Sequence, residues 1–171
     1  MKSNKGFTLI ELVIVIIVLG VLAATAVPKF INIHSDARKS TLDGFYGSLL
    51  SANSIVMSKA AIDDLGNTKK PTKIDGTDIL VLGGQMVLSK DNIGNVMQLN
   101  GYNLVYFDFS GGNQNISFGA LMVSLGNEKE RKEFEDNQCY LLIYGNYSFI
   151  ESGVTTMKSR EIEAIKSYSG C

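Results

Sequence analysis

The run from Phe7 to Val27, FTLIELVIVIIVLGVLAATAV, limits what this chain can fold into more than any other feature. At about 1.5 Å per helical residue it reaches roughly 30 Å, the hydrocarbon thickness of a bilayer. It holds one charged side chain, Glu11. A segment of this kind must lie in lipid or against other apolar surface, because an exposed apolar helix is unfavourable in water. Whole-chain averages conceal it: 45 % hydrophobic, 19 % charged and a net charge of −1 over 171 residues are the values of an ordinary soluble protein. The chain therefore divides into an apolar N-terminal segment and a water-soluble remainder, Pro28 to Cys171, long enough for one domain with its own core.

The same composition excludes several kinds of chemistry. A near-neutral balance, a pI near 5.8 and the absence of a long Lys/Arg run leave no electrostatic footprint for nucleic acid. One histidine and two cysteines are too few for a His-centred catalytic site or a Cys/His zinc site. His34 stands two positions from Asp36, and such neighbours do not face each other on a helix. Lys73-Ile-Asp-Gly-Thr-Asp78 places two carboxylates around a glycine but lacks the ligand number of a calcium loop, and reads as a turn at Asp75-Gly76. No enzyme, cofactor or metal is expected.

Lys2 and Lys5 precede the apolar run with no acidic residue to offset them, which puts the N-terminus in the cytoplasm and the remainder outside. Three readings of the segment compete. Ala24-Thr25-Ala26 fits the small-residue pattern of a secretory signal cleaved after Ala26, which would release a soluble binding domain. A permanent single-span anchor fits the length. Neither accounts for Glu11, since a carboxylate at the bilayer centre costs about 2.5–3.5 kcal/mol and ionisable groups in membranes have partners. In the third reading the chain is cut between Gly6 and Phe7, creating an α-amino group one helical turn from Glu11. Within one chain that amine points back along the axis and is poorly placed to pair with Glu11. A neighbouring copy shifted along the axis supplies it instead, so the burial penalty of the charge becomes a driving force and a register for assembly.

The stretch GFTLIELVIVIIVLGVLAATAVPKF, behind its short basic leader, resembles the N-terminus of type IV pilins and the related type II secretion pseudopilins. The resemblance implies a leader of residues 1–6, a hydrophobic transmembrane and assembly helix over 7–27, and an exported head over 28–171. It implies cleavage after Gly6 by a prepilin peptidase, N-methylation of Phe7 and a docking role for Glu11. It also implies an inner-membrane prepilin that the pilus assembly machinery builds into an extracellular homopolymer. Gly20 and Pro28 match the helix-breaking positions of type IVa pilins, whose filaments unwind between them.

After Val27 the hydrophobicity becomes periodic. Phe30, Ile33, Ala37, Thr41, Phe45, Leu49, Ala52, Val56 and Ala60 recur at spacings of three and four, which predicts an amphipathic helix continuing the apolar run. Pro28 predicts at least a kink in it. Gly66, within Asp64-Leu65-Gly66-Asn67, is the expected C-cap. Gly44 and Gly47 weaken this helix, and a strand packed closely over them would compensate. From Lys69 the pattern changes to short apolar stretches: Ile79–Leu82, Gln85–Leu88, Tyr102–Phe109, Ile116–Leu125 and Cys139–Ile150, with a hairpin turn over Ser110–Asn115. The expected fold is α+β: a long N-terminal helical spine whose amphipathic half packs against an antiparallel sheet, which is the pilin fold. The charge clusters at Asn127–Asp136 and Ser159–Lys166 read as solvated surface.

Cys139 and Cys171 fall on the oxidising side of the membrane, where a disulfide is expected and two buried free thiols are the alternative. By the pilin resemblance such a bond bounds an outward-facing C-terminal loop, here Tyr140 to Gly170. VPKFINIHSDARKSTLDGF, Cys139-Tyr140 and the terminal cysteine resemble the mannose-sensitive haemagglutinin (MSHA) pilins, over roughly the first third of the chain. Those pilins form fibres used in surface attachment and biofilm initiation, and their resemblance does not specify a receptor. A type II secretion pseudopilin or a minor pilin is the alternative, and the cysteine pair favours a pilin.

Overall fold

One helix, α1 (Leu9–Ile62), takes up both the apolar run and the periodic segment that follows it. The computed structural model describes residues 6–110, 116–151, 154–158 and 160–171. The helix is continuous through Gly20 and Pro28, so the break expected there is absent from the single chain. Proline removes one donor from the ladder, and in a helix of 54 residues the bonds on either side hold the turn.

By their contacts the residues form two units, Met1–Ala37 and Arg38–Cys171. In the first, Leu9–Val27 is long and apolar enough to cross a membrane, and none of it is buried within the chain. In the second, α1 buries Leu42, Phe45, Leu49, Val56 and Ala60. Within this unit the face differs from the expected one at Thr41, which is exposed while Leu42 is fully buried, and at Ala52, which is half-buried beside the buried Asn53; upstream, Ile33 and Ala37 are exposed. The helix ends on Asp64 rather than Gly66. Asp64 takes the left-handed conformation (φ 56°), its N–H reaches the Ala61 carbonyl, and the Leu65 N–H bonds the Ala60 carbonyl at 2.8 Å. This is a Schellman closure, in which aspartate tolerates the φ usually given to glycine and Leu65 turns back onto the core.

Two antiparallel sheets complete the second unit. The small one orders β1 (Thr72–Lys73), β2 (Leu80–Leu82) and β3 (Gln85–Met86). Gly83 and Gly84, both at positive φ, form the tight turn between β2 and β3. Strands this short need outside help, and two buried asparagines supply it. Asn92, in α2 (Lys90–Gly94), accepts from the Leu80 N–H and donates to the Leu80 and Val87 carbonyls. Asn53 on α1 accepts from the Met86 N–H at 3.0 Å.

The larger sheet orders β4 (Asn103–Ser110), β5 (Ile116–Ser124), β6 (Tyr140–Glu151) and β7 (Val154–Lys158), with β8 (Glu163–Ser167) also on β6. One edge of β6 pairs with β5; the other is shared, Tyr147–Glu151 with β7 and Tyr140–Tyr144 with β8. Leu104, Leu121, Val123, Leu141 and Ile143 join the α1 residues in one core. The expected turn at Ser110–Asn115 falls largely outside the described residues. The cluster at Asn127–Asp136 is more than solvated surface, because α3 (Arg131–Asn137) plants the buried Phe134 edge-on against Phe107 and Tyr140. The cluster at Ser159–Lys166 likewise contains most of a strand, β8.

Among the described residues no strand covers Gly44 or Gly47. A Cβ built on either meets nothing within 4 Å, and both open onto a groove of about 930 Å³ lined also by Ser48, Ser51 and Ile55. Gly47→Ala is therefore expected to stabilise the second unit by about 1 kcal/mol through helix propensity alone. Asn53→Ala should cost about 1–3 kcal/mol, because it leaves the Met86 N–H buried without a partner. Denaturant unfolding of the full chain in detergent reads both signs.

Candidate functional site

Gly6, Phe7 and Thr8 precede the helix, so the Gly6–Phe7 peptide bond lies outside α1, and Phe7 is 89 % exposed. Thr8 and Glu11 fix where the helix begins. The Thr8 N–H and the Thr8 hydroxyl both donate to Glu11 Oε2, at 2.8 and 2.7 Å, and the Glu11 N–H approaches Thr8 Oγ1 at 3.4 Å. The Leu12 N–H closes the first turn on the Thr8 carbonyl. This reciprocal arrangement is a capping box, which satisfies helix-end donors that no upstream carbonyl can reach. Glu11 thus has local hydrogen-bond donors in the single chain, but its negative charge is still unmatched by a cation among the described residues.

The C-terminal loop is closed as expected at the cysteines. Cys139 and Cys171 form a disulfide across 32 positions, pinning the last residue beside the start of β6. Loop-closure entropy gives such a bond about 3–4 kcal/mol. Gly170 is required there: a Cβ would stand 1.7 Å from the Asn137 carbonyl oxygen, and the Gly170 N–H donates to the Gln138 carbonyl. A second tie joins the loop to α1, where Asp43 accepts from Lys166 Nζ at 2.6 Å and from the Tyr168 hydroxyl at 2.7 Å. The Lys166 bond, with that of Tyr168, holds the Asp43 carboxyl below its ordinary range, while burial and the same bond push the Tyr168 phenol up. Elsewhere, the Asp75-Gly76 segment forms a turn with Gly76 at φ 71° and the Thr77 N–H on the Ile74 carbonyl, flanked by a Lys73–Asp78 ion pair. His34 is exposed on α1.

Residues 1–27 match the prokaryotic N-terminal methylation motif. The chain is 43 % identical over 56 residues to the type IV narrow pilus major component PilA5 of Thermus thermophilus, covering 33 % of this chain and 48 % of that one. It is 35 % identical over 95 residues to the type IV major alpha-pilin of Moraxella bovis, covering 55 % and 48 %, and 32 % identical over 97 residues to fimbrial protein Q of the same organism, covering 55 % and 61 %. These relatives are type IV pilins and fimbrial proteins. The chain spans about half the length of these pilin relatives or a little more. No solved structure matches it.

In this chain the expected residues separate into two places. Gly6, Phe7 and Glu11 gather at the start of α1, and the cysteines gather at the end of the second unit. Two further residues complete these places. The sequence expectation omits Thr8, although Thr8-Leu9-Ile10-Glu11 is a threonine-x-x-glutamate helix-start pattern. It also omits the tie at Asp43, whose partners are 123 and 125 positions away and leave no local signal.

Because the fold lowers the Asp43 carboxyl, its contribution is fully present above the ordinary aspartate value near 3.8 and is lost as pH falls through the lower native value. Hydrogen exchange of residues 163–171 should therefore rise at acid pH, and should rise also at neutral pH in high salt, since the pair is exposed. Reducing the Cys139–Cys171 bond should speed exchange within 140–170 more than within the α1 residues of the same unit. Equal gains in both would count against the clamp.

Proposed function

We propose that the chain is a structural subunit of a type IV pilus, assembled by staggered packing of its N-terminal helices. The observation that carries this reading is the methylation motif on a helix whose largely apolar 19-residue stretch, Leu9–Val27, is unburied in its own chain yet includes one carboxylate. Such a helix is soluble only in lipid or among copies of itself. On this reading the prepilin rests in the inner membrane, a prepilin peptidase removes residues 1–6, Phe7 is N-methylated, and Glu11 pairs with the terminal amine of a neighbour as the subunit leaves the membrane for an extracellular fibre. Unwinding between Gly20 and Pro28 belongs to the assembled state, where neighbours can satisfy or exclude the freed backbone.

The resemblance of residues 27–45 to MSHA pilins supports a role in surface attachment and biofilm initiation, with the disulfide-bounded loop as the partner-facing surface. A type II secretion pseudopilin is the second reading, because its N-terminus has the same form. The Cys139–Cys171 loop favours the pilus.

Mass spectrometry of the mature N-terminus tests the assignment. Methylated Phe7 is the expected result, and a mature chain beginning at Val27 would end it. Gly6→Val should block processing. Glu11→Ala should leave processing and the second unit intact but reduce sheared surface fibres severely, and fibres at wild-type yield would sink the role given to Glu11.

A further inference from the structure

Asn53 ties α1 to the small sheet through an amide that is engaged at both ends. Its Oδ1 accepts from the Met86 N–H at 3.0 Å, and its Nδ2 donates to Met57 Sδ at 3.5 Å, one helical turn further along α1. No other described residue accepts from that Nδ2. Thioether sulfur is a weak acceptor, so a donor on a residue only 7 % exposed is poorly satisfied by it. The residue that carries this sulfur is open to solvent. Met57 is 42 % exposed, whereas Met86 and Met122 are buried and Met97 and Met157 are half-buried.

We infer that Met57 is a site of oxidative modification by peroxides, and that its sulfoxide tightens the joint between α1 and the small sheet. A sulfur lone pair attacks one peroxide oxygen, and the S–O bond forms as the O–O bond breaks. Sulfur loses two electrons and the peroxide gains them; with hydrogen peroxide the second oxygen leaves as water, taking the proton of the first. The product exchanges a weak acceptor for a strong one on the same flexible side chain. An oxygen added toward Asn53 would crowd the 3.5 Å gap between Sδ and Nδ2, but Met57 is exposed and can withdraw its sulfur until the new oxygen takes the amide hydrogen. Asn53 is then fixed by full-strength bonds at both ends, and its Oδ1 is held more firmly on the Met86 N–H. Sulfoxide formation is reversed by reductases, so the joint has two settings chosen by exposure to peroxide. All the groups involved belong to the second unit, and none of this rests on the filament reading.

The test treats the full chain in detergent with dilute hydrogen peroxide and maps the oxidised methionines by peptide mass spectrometry. Hydrogen exchange of the Met86 amide is then read by NMR, referenced to amides of β5 and β6. Met57 should oxidise first. In the singly oxidised protein the Met86 amide should exchange about fivefold more slowly, the equilibrium effect of one net hydrogen bond, while the β5 and β6 amides keep their rates. Methionine sulfoxide reductase should restore the original rate. Met57→Leu should show no response to the oxidant, and Met57→Gln, whose amide oxygen stands in for the sulfoxide, should slow Met86 exchange without it. Earlier oxidation at Met97 or Met157, a Met86 amide that exchanges as fast or faster after oxidation of Met57, or equal slowing in β5 and β6 would overturn the inference. So would a Met57→Gln variant that exchanges no more slowly than Met57→Leu.

Discussion

The governing constraint is that a largely apolar stretch of helix, the 19 residues Leu9–Val27, is unburied among the described residues of its own chain. A soluble domain solves this by folding the helix inward, as the second unit does with Leu42, Phe45, Leu49, Val56 and Ala60. The segment Leu9–Val27 has no such recourse, so its surface must be satisfied by lipid or by other copies. The second unit is in consequence built as a self-sufficient body: its core, its two sheets and its disulfide all close without help from residues before Arg38. On the proposed reading, that independence lets the apolar segment exchange lipid for other copies while the rest of the fold is unchanged.

Glu11 gives this exchange a direction. Hydrophobic packing is nearly as good in lipid as between helices, and so gives little preference for either. A charge in the same segment breaks the tie, because lipid offers it no cation, whereas on the proposed reading a processed neighbour does. The capping box with Thr8 makes that charge tolerable before a neighbour arrives, by providing two donors from within the chain.

Much of this was legible in the residues, and the exceptions have physical causes. The apolar run, the strands at Leu80–Leu82, Asn103–Ser110 and Ile116–Ser124, and the disulfide follow from local patterns of hydropathy and from cysteine placement. β8 was not legible, because Glu163-Ala-Ile-Lys-Ser167 is largely polar and becomes a strand only by pairing with Tyr140–Tyr144. α2 and the two-residue β1 were not legible either, since the small sheet is held by Asn53 and Asn92, polar residues that a hydropathy pattern assigns to the surface. The buried face of α1 shifts from Thr41 to Leu42 because the sequence series is anchored upstream, on Phe30 and Ile33, outside the unit whose core sets the phase. Asp64 replaces Gly66 as the helix stop since closure depends on where Leu65 can reach the core.

The disulfide also has a mechanical meaning. Residues 139–171 make a covalent ring, so a pull on any point of it reaches Cys139 by two routes. Cys139 adjoins β6, the strand that pairs along both its edges, with β5 on one side and with β7 and β8 on the other. Tension on the loop therefore enters the sheet at its most bonded strand and not at an edge that could be peeled away one hydrogen bond at a time. The ring itself cannot unravel at Cys171, because that residue is a point of attachment.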